Sequence, residues 1–462
     1  MRLALERLIA EIEAFYEQVG DLAVTPRLGH AAIRRRIVGR YDFSRPVDLS
    51  ELLPDIADLL RSGIVHVTHP RYFGLFNPSV TSASIVADGL VAAYNPQLAA
   101  ASHAPAAVEL ERHVLRFFSA RLGFNPDTSL ASFASGGAEA NHSAVVTALA
   151  ARVPGFVTDG LRAASSPPVL VVSGEAHDSF RKIAQVTGLG RGAVRVVPTG
   201  DDLALDAGTV RAALRADRAA GLAPFLLVAT AGTTAAGVID PLPALGAVAR
   251  EEGVWFHVDA AWGGAAVLSR RQRGFLAGIE LADSVTWDAH KWLSVPMGAG
   301  MFFCRHPEPV RQVFAFGPTG YMPDAIAGTP DPYATTLQWS RRFIGLKVFM
   351  TVAALGEAGL EAMVDGMTEM GGALRRRLLA AGFRVVNVTP LPLVCFTHPR
   401  LERRELSAAD VAARVQARGQ AWVSAARIGR GQDVLRACIT SFRTSEADLE
   451  VLVDELTRAV TG

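Results

Sequence analysis

Cysteine is scarce in this sequence of 462 residues, and its three copies, Cys304, Cys395 and Cys438, lie far apart. This spacing is typical neither of a disulfide framework nor of a metal site, so we interpret all three as small core residues in a reducing compartment. A charge excess of either sign is also lacking, because the formal net charge is +1. The sequence therefore gives no reason to expect binding to nucleic acid or to an anionic membrane.

Long apolar runs are missing as well. No uninterrupted stretch is long enough to span a bilayer, and the first residues mix charged with apolar side chains, unlike a signal peptide. We therefore expect a cytoplasmic protein. Residues 1–20 predict an amphipathic helix, whose apolar stripe is buried within the monomer or against a partner subunit.

Lysine is rare, because only Lys182, Lys291 and Lys347 are lysines among 46 Lys and Arg residues. Wherever a positive charge suffices, the chain uses arginine. Arginine keeps its proton at working pH, whereas a partly buried lysine can lose its proton and become a nucleophile. Lys291 stands between His290 and Trp292. It is either an ordinary, partly exposed lysine or an amine that the chemistry requires.

Two apolar runs end in residues that carry chemistry. The run 254–258 is followed by Asp259. The run 284–287 is followed by Asp288 and then by Lys291. Both runs are rich in β-branched and aromatic residues and predict buried strands. Ligands of open α/β sheets bind beyond the carboxyl ends of the strands, so an acid and a lysine reach the same sheet edge.

Other segments complete an α/β pattern. Strand-like runs at 168–173, 194–197 and 225–230 alternate with helical segments, which predicts a mostly parallel sheet. Residues 132–141 form a glycine-bearing turn followed by an alanine-rich helix, and free N–H groups at a helix start bind phosphate. No G-x-G-x-x-G or P-loop pattern occurs where it would matter, which argues against a dinucleotide or ATP enzyme.

Together these motifs resemble the group II amino-acid decarboxylases that depend on pyridoxal 5'-phosphate (PLP), which include aromatic amino-acid and glutamate decarboxylases. The resemblance runs from about residue 50 to the C-terminus. A lysine that links to PLP, paired with an acid on the pyridine nitrogen, is how proteins hold this cofactor. The matching stretches are HPRYFGLFNP (69–78), FASGGAEAN (133–141), SGEAHDSFRK (173–182), ATAGTTAAGVID (229–240), HVDAAWGG (257–264), DSVTWDAHKW (283–292) and WSRRFIGLK (339–347).

The resemblance implies the PLP-dependent transferase-like fold (fold type I). We predict an N-terminal helical arm over 1–65, a large PLP-binding α/β domain with a mostly parallel sheet over 66–345, and a small α+β domain over 346–462. The family supplies a mobile catalytic loop across a subunit interface. The resemblance therefore implies a homodimer with active sites at that interface.

The resemblance also implies roles for single residues. Lys291 would carry PLP, and Asp259 would keep the pyridine nitrogen protonated. His177 would stack on the ring and orient the substrate carboxylate. Tyr321, in the Gly/Pro-rich segment 312–340, would protonate the substrate at Cα. The other implied cofactor contacts are Gly137, Ala138, Thr230, Ala261, Asp288 and His290.

Two of these positions depart from the family. A hydroxyl usually stands where this chain has Ala138, so one phosphate hydrogen bond is lost or supplied by Ser135. Many members have asparagine where this chain has Asp288, so its carboxylate either points elsewhere or is compensated. The implied substrate contacts are Leu75, Phe76, Asn77, Pro78 and His103.

The substrate remains open at this point. No arginine in the matching motifs is assigned to a distal carboxylate, which favours an aromatic amino acid. Asn77, Asn95, Gln97 and His103 still offer polar partners for an acidic or amide side chain. Aromatic decarboxylases often carry tyrosine where Leu75 stands, so their substrate cannot be copied.

Three hypotheses on function follow. The chain is a decarboxylase that forms an amine and CO2, an aldehyde-forming decarboxylase or other α-carbon PLP lyase, or an inactive scaffold with this fold. The presence of both His177 and Tyr321 favours the first. An inactive scaffold predicts loss of Lys291 or Asp259, and both are present.

Overall fold

The computed structural model describes residues 2–317, 321–322, 326 and 328–462. The α-helices in this part of the chain are α1 (Arg2–Gln18), α2 (His30–Arg40), α3 (Leu49–Gly63), α4 (Ser82–Tyr94), α5 (Pro105–Arg121), α6 (Gly137–Arg152), α7 (Phe156–Asp159), α8 (Ser179–Val186), α9 (Ala207–Ala219), α10 (Leu242–Glu251), α11 (Pro307–Phe314), α12 (Gly345–Ala380), α13 (Pro399–Glu402), α14 (Ala408–Arg418) and α15 (Glu446–Thr461). The β-strands are β1 (Tyr72–Phe73), β2 (Leu130–Ala134), β3 (Pro168–Ser173), β4 (Val194–Val197), β5 (Ala223–Thr230), β6 (Trp255–Asp259), β7 (Ser284–Asp288), β8 (Gly300–Cys304), β9 (Arg384–Val385), β10 (Leu393–Thr397), β11 (Trp422–Ile428) and β12 (Gln432–Cys438).

The larger sheet has seven strands in the order β2-β8-β7-β6-β5-β3-β4. Strand β8 runs antiparallel to β2 and β7, and the other neighbouring pairs are parallel. Every residue of β6, β7 and β8 is buried, because helices such as α6 pack against them. Continuous apolar runs suit strands that are covered on both faces. The predicted mostly parallel sheet is confirmed.

The smaller sheet has five strands in the order β1-β11-β12-β10-β9. Its ladders are antiparallel except that β1 runs parallel to β11, with Tyr72 opposite Trp422. Strand β1 lies before the larger sheet in sequence, whereas β11 lies after α12. This pairing therefore joins the two sides of the predicted division at residue 345. The predicted boundaries of arm, large domain and small domain stay predictions.

The predicted N-terminal amphipathic helix is α1. Its residues Leu8, Ile12 and Phe15 line an apolar cavity of about 470 Å³ that α3 also borders. On the same helix, Leu3 and Ile9 are more than half exposed. The apolar side chains of α1 are therefore only partly covered by this chain.

The apolar interior of the protein includes Cys304, Cys395 and Cys438, which are buried free thiols, as predicted. Burial raises the pKa of each of these thiols to about 12. Within the described residues, no single helix has the length and apolarity to cross a membrane, whereas one bent pair, Gly137–Arg152 with Phe156–Ala163, would suffice by length and composition alone.

Candidate active site

The carboxyl ends of β5, β6 and β7 converge on a cavity of about 360 Å³. Thr230 of β5 lies opposite Asp259 of β6, and Asp259 lies opposite Thr286 of β7. Asp288, the last residue of β7, and Lys291, three residues later, lie at the same edge. The predicted site residues that line this cavity are Phe76, Gly137, Ala138, His177, Thr230, Asp259, Ala261, Asp288, His290 and Lys291.

Lys291 and Asp288 form an ion pair in this cavity. The Nζ of Lys291 lies 3.0 Å from Oδ2 of Asp288, whose side chain is only 2% exposed. The same ammonium lies 5.5 Å from the centre of the Phe76 ring. The Oδ1 of Asp288 is buried and has no hydrogen-bond partner among the described residues. Of the two possibilities for Asp288, the structure supports compensation, because the carboxylate faces the cavity and Lys291 balances its charge.

The Asp259 carboxylate is held at both oxygens. Its Oδ1 accepts a hydrogen bond from the Ala261 amide at 3.0 Å, and its Oδ2 accepts one from Nδ2 of Asn141 at 2.9 Å. The residue is 4% exposed. Because an ionised carboxylate offers about four lone-pair sites, two remain for a further donor.

A glycine turn before α6 forms one wall of the cavity. A Cβ added to Gly137 would lie 2.8 Å from Oδ2 of Asp288, and one on Gly136 would lie 3.3 Å from the His290 ring. The turn therefore needs glycine for this close approach. The N-terminus of α6 presents free amides at this wall, which is the arrangement that binds phosphate.

Ser135 was the candidate to replace a hydroxyl missing at Ala138. Its Oγ donates instead to Oε2 of Glu139 at 2.6 Å, and its amide donates to the same oxygen at 2.9 Å. Glu139 also accepts from Nε2 of Gln338 at 2.8 Å. The Ser135 hydroxyl is thus engaged within the protein, and Gln338 ties the segment before α12 to the cavity.

The histidines of the cavity have defined proton positions. The Nδ1 of His290 accepts a hydrogen bond from the Ala299 amide at 3.1 Å, so the neutral ring carries its proton on Nε2. Burial lowers the pKa of His290, which favours that neutral form. The Nδ1 of His177 likewise accepts from the Ser179 amide at 3.2 Å. His177 is exposed to the cavity mouth.

Several predicted residues do not line this cavity. Leu75 is 53% exposed, and His103 is exposed two residues before the start of α5. Asn77 points to Sδ of Met297 at 3.5 Å. Tyr321 is 75% exposed, and its ring centre lies 6.4 Å from that of Trp339.

Pro78 is buried outside the lining of the cavity. Of the predicted substrate contacts only Phe76 reaches the cavity of this chain, because the backbone turns neighbouring side chains to solvent or into other contacts. The roles of the remaining contacts, and of Tyr321, stay predictions.

Sequence reasoning missed Arg436 on β12. Its Nε donates to the Thr234 carbonyl at 3.0 Å, and Nη1 donates to the Gly74 carbonyl. Its Nη2 is buried without a hydrogen-bond partner in the described part of the chain. The guanidinium lies 4.7 Å from the centre of the Phe76 ring. A single arginine inside the strand-like run 435–440 was the available signal.

Asn141 and His257 were also missed as site residues, although both lie in matching motifs. Asn141 contacts Asp259 directly, as described above. The Nε2 of His257 lies 3.0 Å from Oδ1 of Asn141. Neither residue type indicates such a role without its partners in space.

The chain was compared with known proteins. A family model described as "Pyridoxal-dependent decarboxylase conserved domain" matches residues 41–398. A tyrosine decarboxylase of Oryza sativa subsp. japonica is 33% identical over 398 residues, or 83% of this chain and 74% of that protein. A cysteine sulfinic acid decarboxylase of Mus musculus is 33% identical over 348 residues, or 72% of this chain and 68% of that protein. A crystal structure of mouse CSAD is 26% identical with a TM-score of 0.90, and the match covers 99% of this chain and 98% of that chain.

The residues present fit PLP. The cavity holds an amine at Lys291 and an acid at Asp259, and the glycine turn opens space at the N-terminus of α6. The Oγ1 of Thr230 is buried there without a hydrogen-bond partner among the described residues, which leaves a donor for a ligand. The predicted fold type and cofactor are confirmed, and the chain belongs to the pyridoxal-dependent decarboxylase family of PLP-dependent carboxy-lyases.

Proposed function

We propose that this enzyme removes the α-carboxylate of an L-amino acid and releases CO2 and the amine, with an aromatic amino acid as the favoured substrate. The observation that carries the proposal is that Lys291 and Asp259 line one cavity with aromatic walls. Phe76 and Trp262 both line it, and their ring centres lie 4.8 Å apart. Aromatic walls suit a planar aromatic side chain. The similarity to a tyrosine decarboxylase supports the same substrate class.

We assign the cofactor contacts by their chemistry. Lys291 attaches PLP covalently, and Asp259 holds the proton on the ring nitrogen. When bound, PLP supplies an electron sink for the electron pair left at Cα. The amides of Gly137 and Ala138 bind the phosphate at the start of α6. Thr230 donates its free hydroxyl to the cofactor.

The remaining cofactor contacts come from the walls of the cavity. Ala261 and His177 would contact the ring of PLP, and His177 would orient the substrate carboxylate. The neutral His290 offers its Nε2 proton beside the phosphate or the Lys291 linkage. Asp288 holds the Lys291 side chain in the cavity through the ion pair described above.

Tyr321 is the proposed proton donor. The bond between Cα and the carboxylate breaks, CO2 leaves, and a proton from the Tyr321 hydroxyl takes its place on Cα. Because Tyr321 is exposed and does not line the cavity of its own chain, we assign it to the cavity of a partner subunit. The working unit is then a homodimer. The exposed Leu3 and Ile9 of α1 provide apolar surface for such an interface.

Two inactive variants mixed together test the shared site. In a homodimer with shared sites, Lys291→Ala and Tyr321→Phe subunits that reassociate at random regain about one intact site in four. Recovered activity near that level supports the shared site, and no recovery places Tyr321 in its own subunit. Two different affinity tags, one on each variant and used in sequence, show whether the hybrid dimer forms.

A second candidate is an acidic amino acid, favoured by Arg436. A buried guanidinium without a carboxylate partner is costly, so a ligand anion is expected there. For an aromatic substrate that anion is the α-carboxylate. An acidic substrate, as acted on by the mouse cysteine sulfinic acid decarboxylase, would bring a second anionic group.

The experiment is CO2 release from a panel of aromatic and acidic L-amino acids with added PLP. Wild type is compared with Lys291→Ala and with Lys182→Ala, a matched control at an exposed lysine. We expect release with aromatic substrates, loss in Lys291→Ala, and no change in the control. Amine and aldehyde are quantified together, since aldehyde as main product would support the alternative chemistry. Release with acidic substrates alone would overturn the aromatic assignment.

We also propose a cytoplasmic location. Its support is that three cysteines are free and buried, as in proteins of a reducing compartment. Immunodetection of the protein in separated cell fractions tests it, and recovery outside the cytoplasmic fraction would contradict it.

A further inference from the structure

A chain of buried hydrogen bonds ends on Asp259. The Nε1 of Trp255 lies 2.9 Å from Oγ of Ser284, and that oxygen lies 2.9 Å from Nδ1 of His257. The Nε2 of His257 lies 3.0 Å from Oδ1 of Asn141. Nδ2 of Asn141 lies 2.9 Å from Oδ2 of Asp259. All five side chains are buried.

The fold places these residues in line. His257 and Ser284 lie opposite each other in the parallel pairing of β6 and β7. Asp259 follows His257 by two residues on β6, so both side chains leave the same face of the strand. Asn141 reaches them from the second turn of α6, which packs on that face. Strands β6 and β7 and helix α6 therefore hold these hydrogen-bonded side chains in place.

The end groups fix the direction of every hydrogen bond. An indole N–H only donates, so Ser284 must accept from Trp255 and is free to donate to His257. His257 then accepts at Nδ1 and donates from Nε2 to Asn141. At the other end an ionised carboxylate only accepts, so the amide of Asn141 must direct its NH2 group to Asp259.

The opposite order is excluded by the same chemistry. A His257 tautomer with its proton on Nδ1 would set the lone pair of Nε2 against Oδ1 of Asn141. Turning the amide over would relieve that contact but would set its oxygen against the Asp259 carboxylate. Thr286 lies at a longer 3.5 Å from Nε2 of His257 and does not change this order.

His257 carries no charge in this chain of hydrogen bonds. Its side chain is fully buried, and burial lowers the pKa of its imidazole to about 4. The groups that face it are Asp259, Asn141, Ser284, Thr286 and the ring of Phe180, whose centre lies 6.3 Å away. Among them only Asp259 is charged. The series of hydrogen bonds therefore ends in a neutral donor, the Asn141 amide, and no imidazolium proton competes for the Asp259 carboxylate.

We propose that Asn141 and His257 are positioning residues that fix the Asp259 carboxylate as the hydrogen-bond acceptor for the protonated ring nitrogen of PLP. The donated hydrogen bonds occupy one lone pair on each oxygen of Asp259 and leave the others directed at the cavity. The proton shared with the ring nitrogen then has one defined location. This inference rests on the proposed role of Asp259 and is independent of which amino acid is the substrate.

The test uses the full enzyme reconstituted with PLP labelled with 15N at the ring nitrogen. The nitrogen chemical shift reports directly whether that nitrogen is protonated. The variants are Asn141→Leu and His257→Leu, which break the chain, and His257→Gln, whose amide accepts at one end and donates at the other in the same order. Thr147→Val is the matched control, because it removes a buried hydroxyl from the same helix.

We expect both leucine variants to lose ring protonation at a lower pH than wild type and to bind PLP about ten- to a hundredfold more weakly. His257→Gln should restore most of both properties, and Thr147→Val should match wild type. Wild-type protonation in folded Asn141→Leu and His257→Leu would overturn the proposal. If a leucine variant does not fold, His257→Gln is compared with Asn141→Ala instead. Ring protonation and PLP affinity that are no higher in His257→Gln than in folded Asn141→Ala would then overturn the proposal. An unprotonated ring nitrogen in wild type would refute the role of Asp259 itself, which separates the two failures.

Discussion

The Lys291 ammonium lies 3.0 Å from Oδ2 of Asp288, the last residue of β7 and three residues earlier in the sequence. The Asp288 side chain is 2% exposed, so water screens this ion pair weakly. The same oxygen lies 2.8 Å from where a Cβ on Gly137 would stand. One carboxylate therefore faces both the amine proposed to carry PLP and the turn proposed to bind its phosphate.

Replacing Asp288 by asparagine should strengthen PLP binding, because a negative charge beside the phosphate is removed. We expect a dissociation constant about five- to tenfold lower for Asp288→Asn. Without PLP the variant should melt at a lower temperature than wild type, since Lys291 loses its partner. Titration of the cofactor absorbance and thermal melts with and without PLP measure both effects. Weaker PLP binding by the variant would show that the carboxylate assists the cofactor.

Adding a methyl group at Gly137 should weaken PLP binding while the protein stays folded. In Gly137→Ala the new Cβ meets Oδ2 of Asp288 at 2.8 Å, so the turn proposed to bind the phosphate or the Asp288 side chain must shift. We expect PLP affinity to fall about tenfold or more. Gly366→Ala on α12 is the control, because a Cβ there meets open space. Equal affinities in the two variants would remove the glycine turn from the cofactor site.

Removing the Tyr321 hydroxyl should change the product rather than cofactor binding. With no donor for Cα in Tyr321→Phe, amine release should slow about a hundredfold or more, and oxygen-dependent aldehyde should accumulate. PLP affinity should be unchanged, since the substitution alters none of the residues assigned to the cofactor. Parallel amine, aldehyde and oxygen measurements decide the outcome. An unchanged amine rate and yield would exclude Tyr321 from the mechanism.

His257 should make folding stability depend on pH. Its pKa is lowered to about 4 in the folded protein from an ordinary 6.5, so the unfolded chain binds a proton between these values that the folded protein does not. Stability from this residue is therefore complete above pH 6.5 and is lost as the pH falls toward 4. Relative to His257→Gln, wild type should lose about 3 kcal/mol of unfolding free energy across that range.

Urea unfolding of both proteins at a series of pH values measures this difference. The neighbouring acid Asp240, whose pKa burial raises to about 6, acts in the opposite sense but is common to both proteins and cancels. The difference in unfolding free energy between the two proteins could instead stay constant with pH. His257 would then be already neutral in the unfolded protein or still charged in the folded protein.

Residues that end strands were predictable because two local signals coincide. An apolar run predicts a buried strand, and a parallel sheet aligns the ends of its neighbours. Asp259 and Lys291 reach one cavity for that reason, whereas Thr230 was expected there only from the family resemblance. The glycine turn before α6 was equally local. These positions needed no knowledge of distant contacts.

Residues that act through distant partners were not predictable in this way. Asn141 and His257 gain their roles only from each other and from Asp259, across two strands and a helix. Arg436 reaches the site from the last strand of the smaller sheet. The role of Leu75 stays a prediction, because this neighbour of Phe76 in sequence faces solvent in this chain.

The parallel pairing of β1 with β11 has a mechanical consequence. It fixes the segment just before Phe76 to the smaller sheet, which also carries Arg436. Lys291 and Asp259 are fixed to the larger sheet. The distance between the smaller and the larger sheet therefore sets the width of the cavity. Substitutions at the contacts between the two sheets, far from any bound molecule, would change which substrate side chains the enzyme accepts.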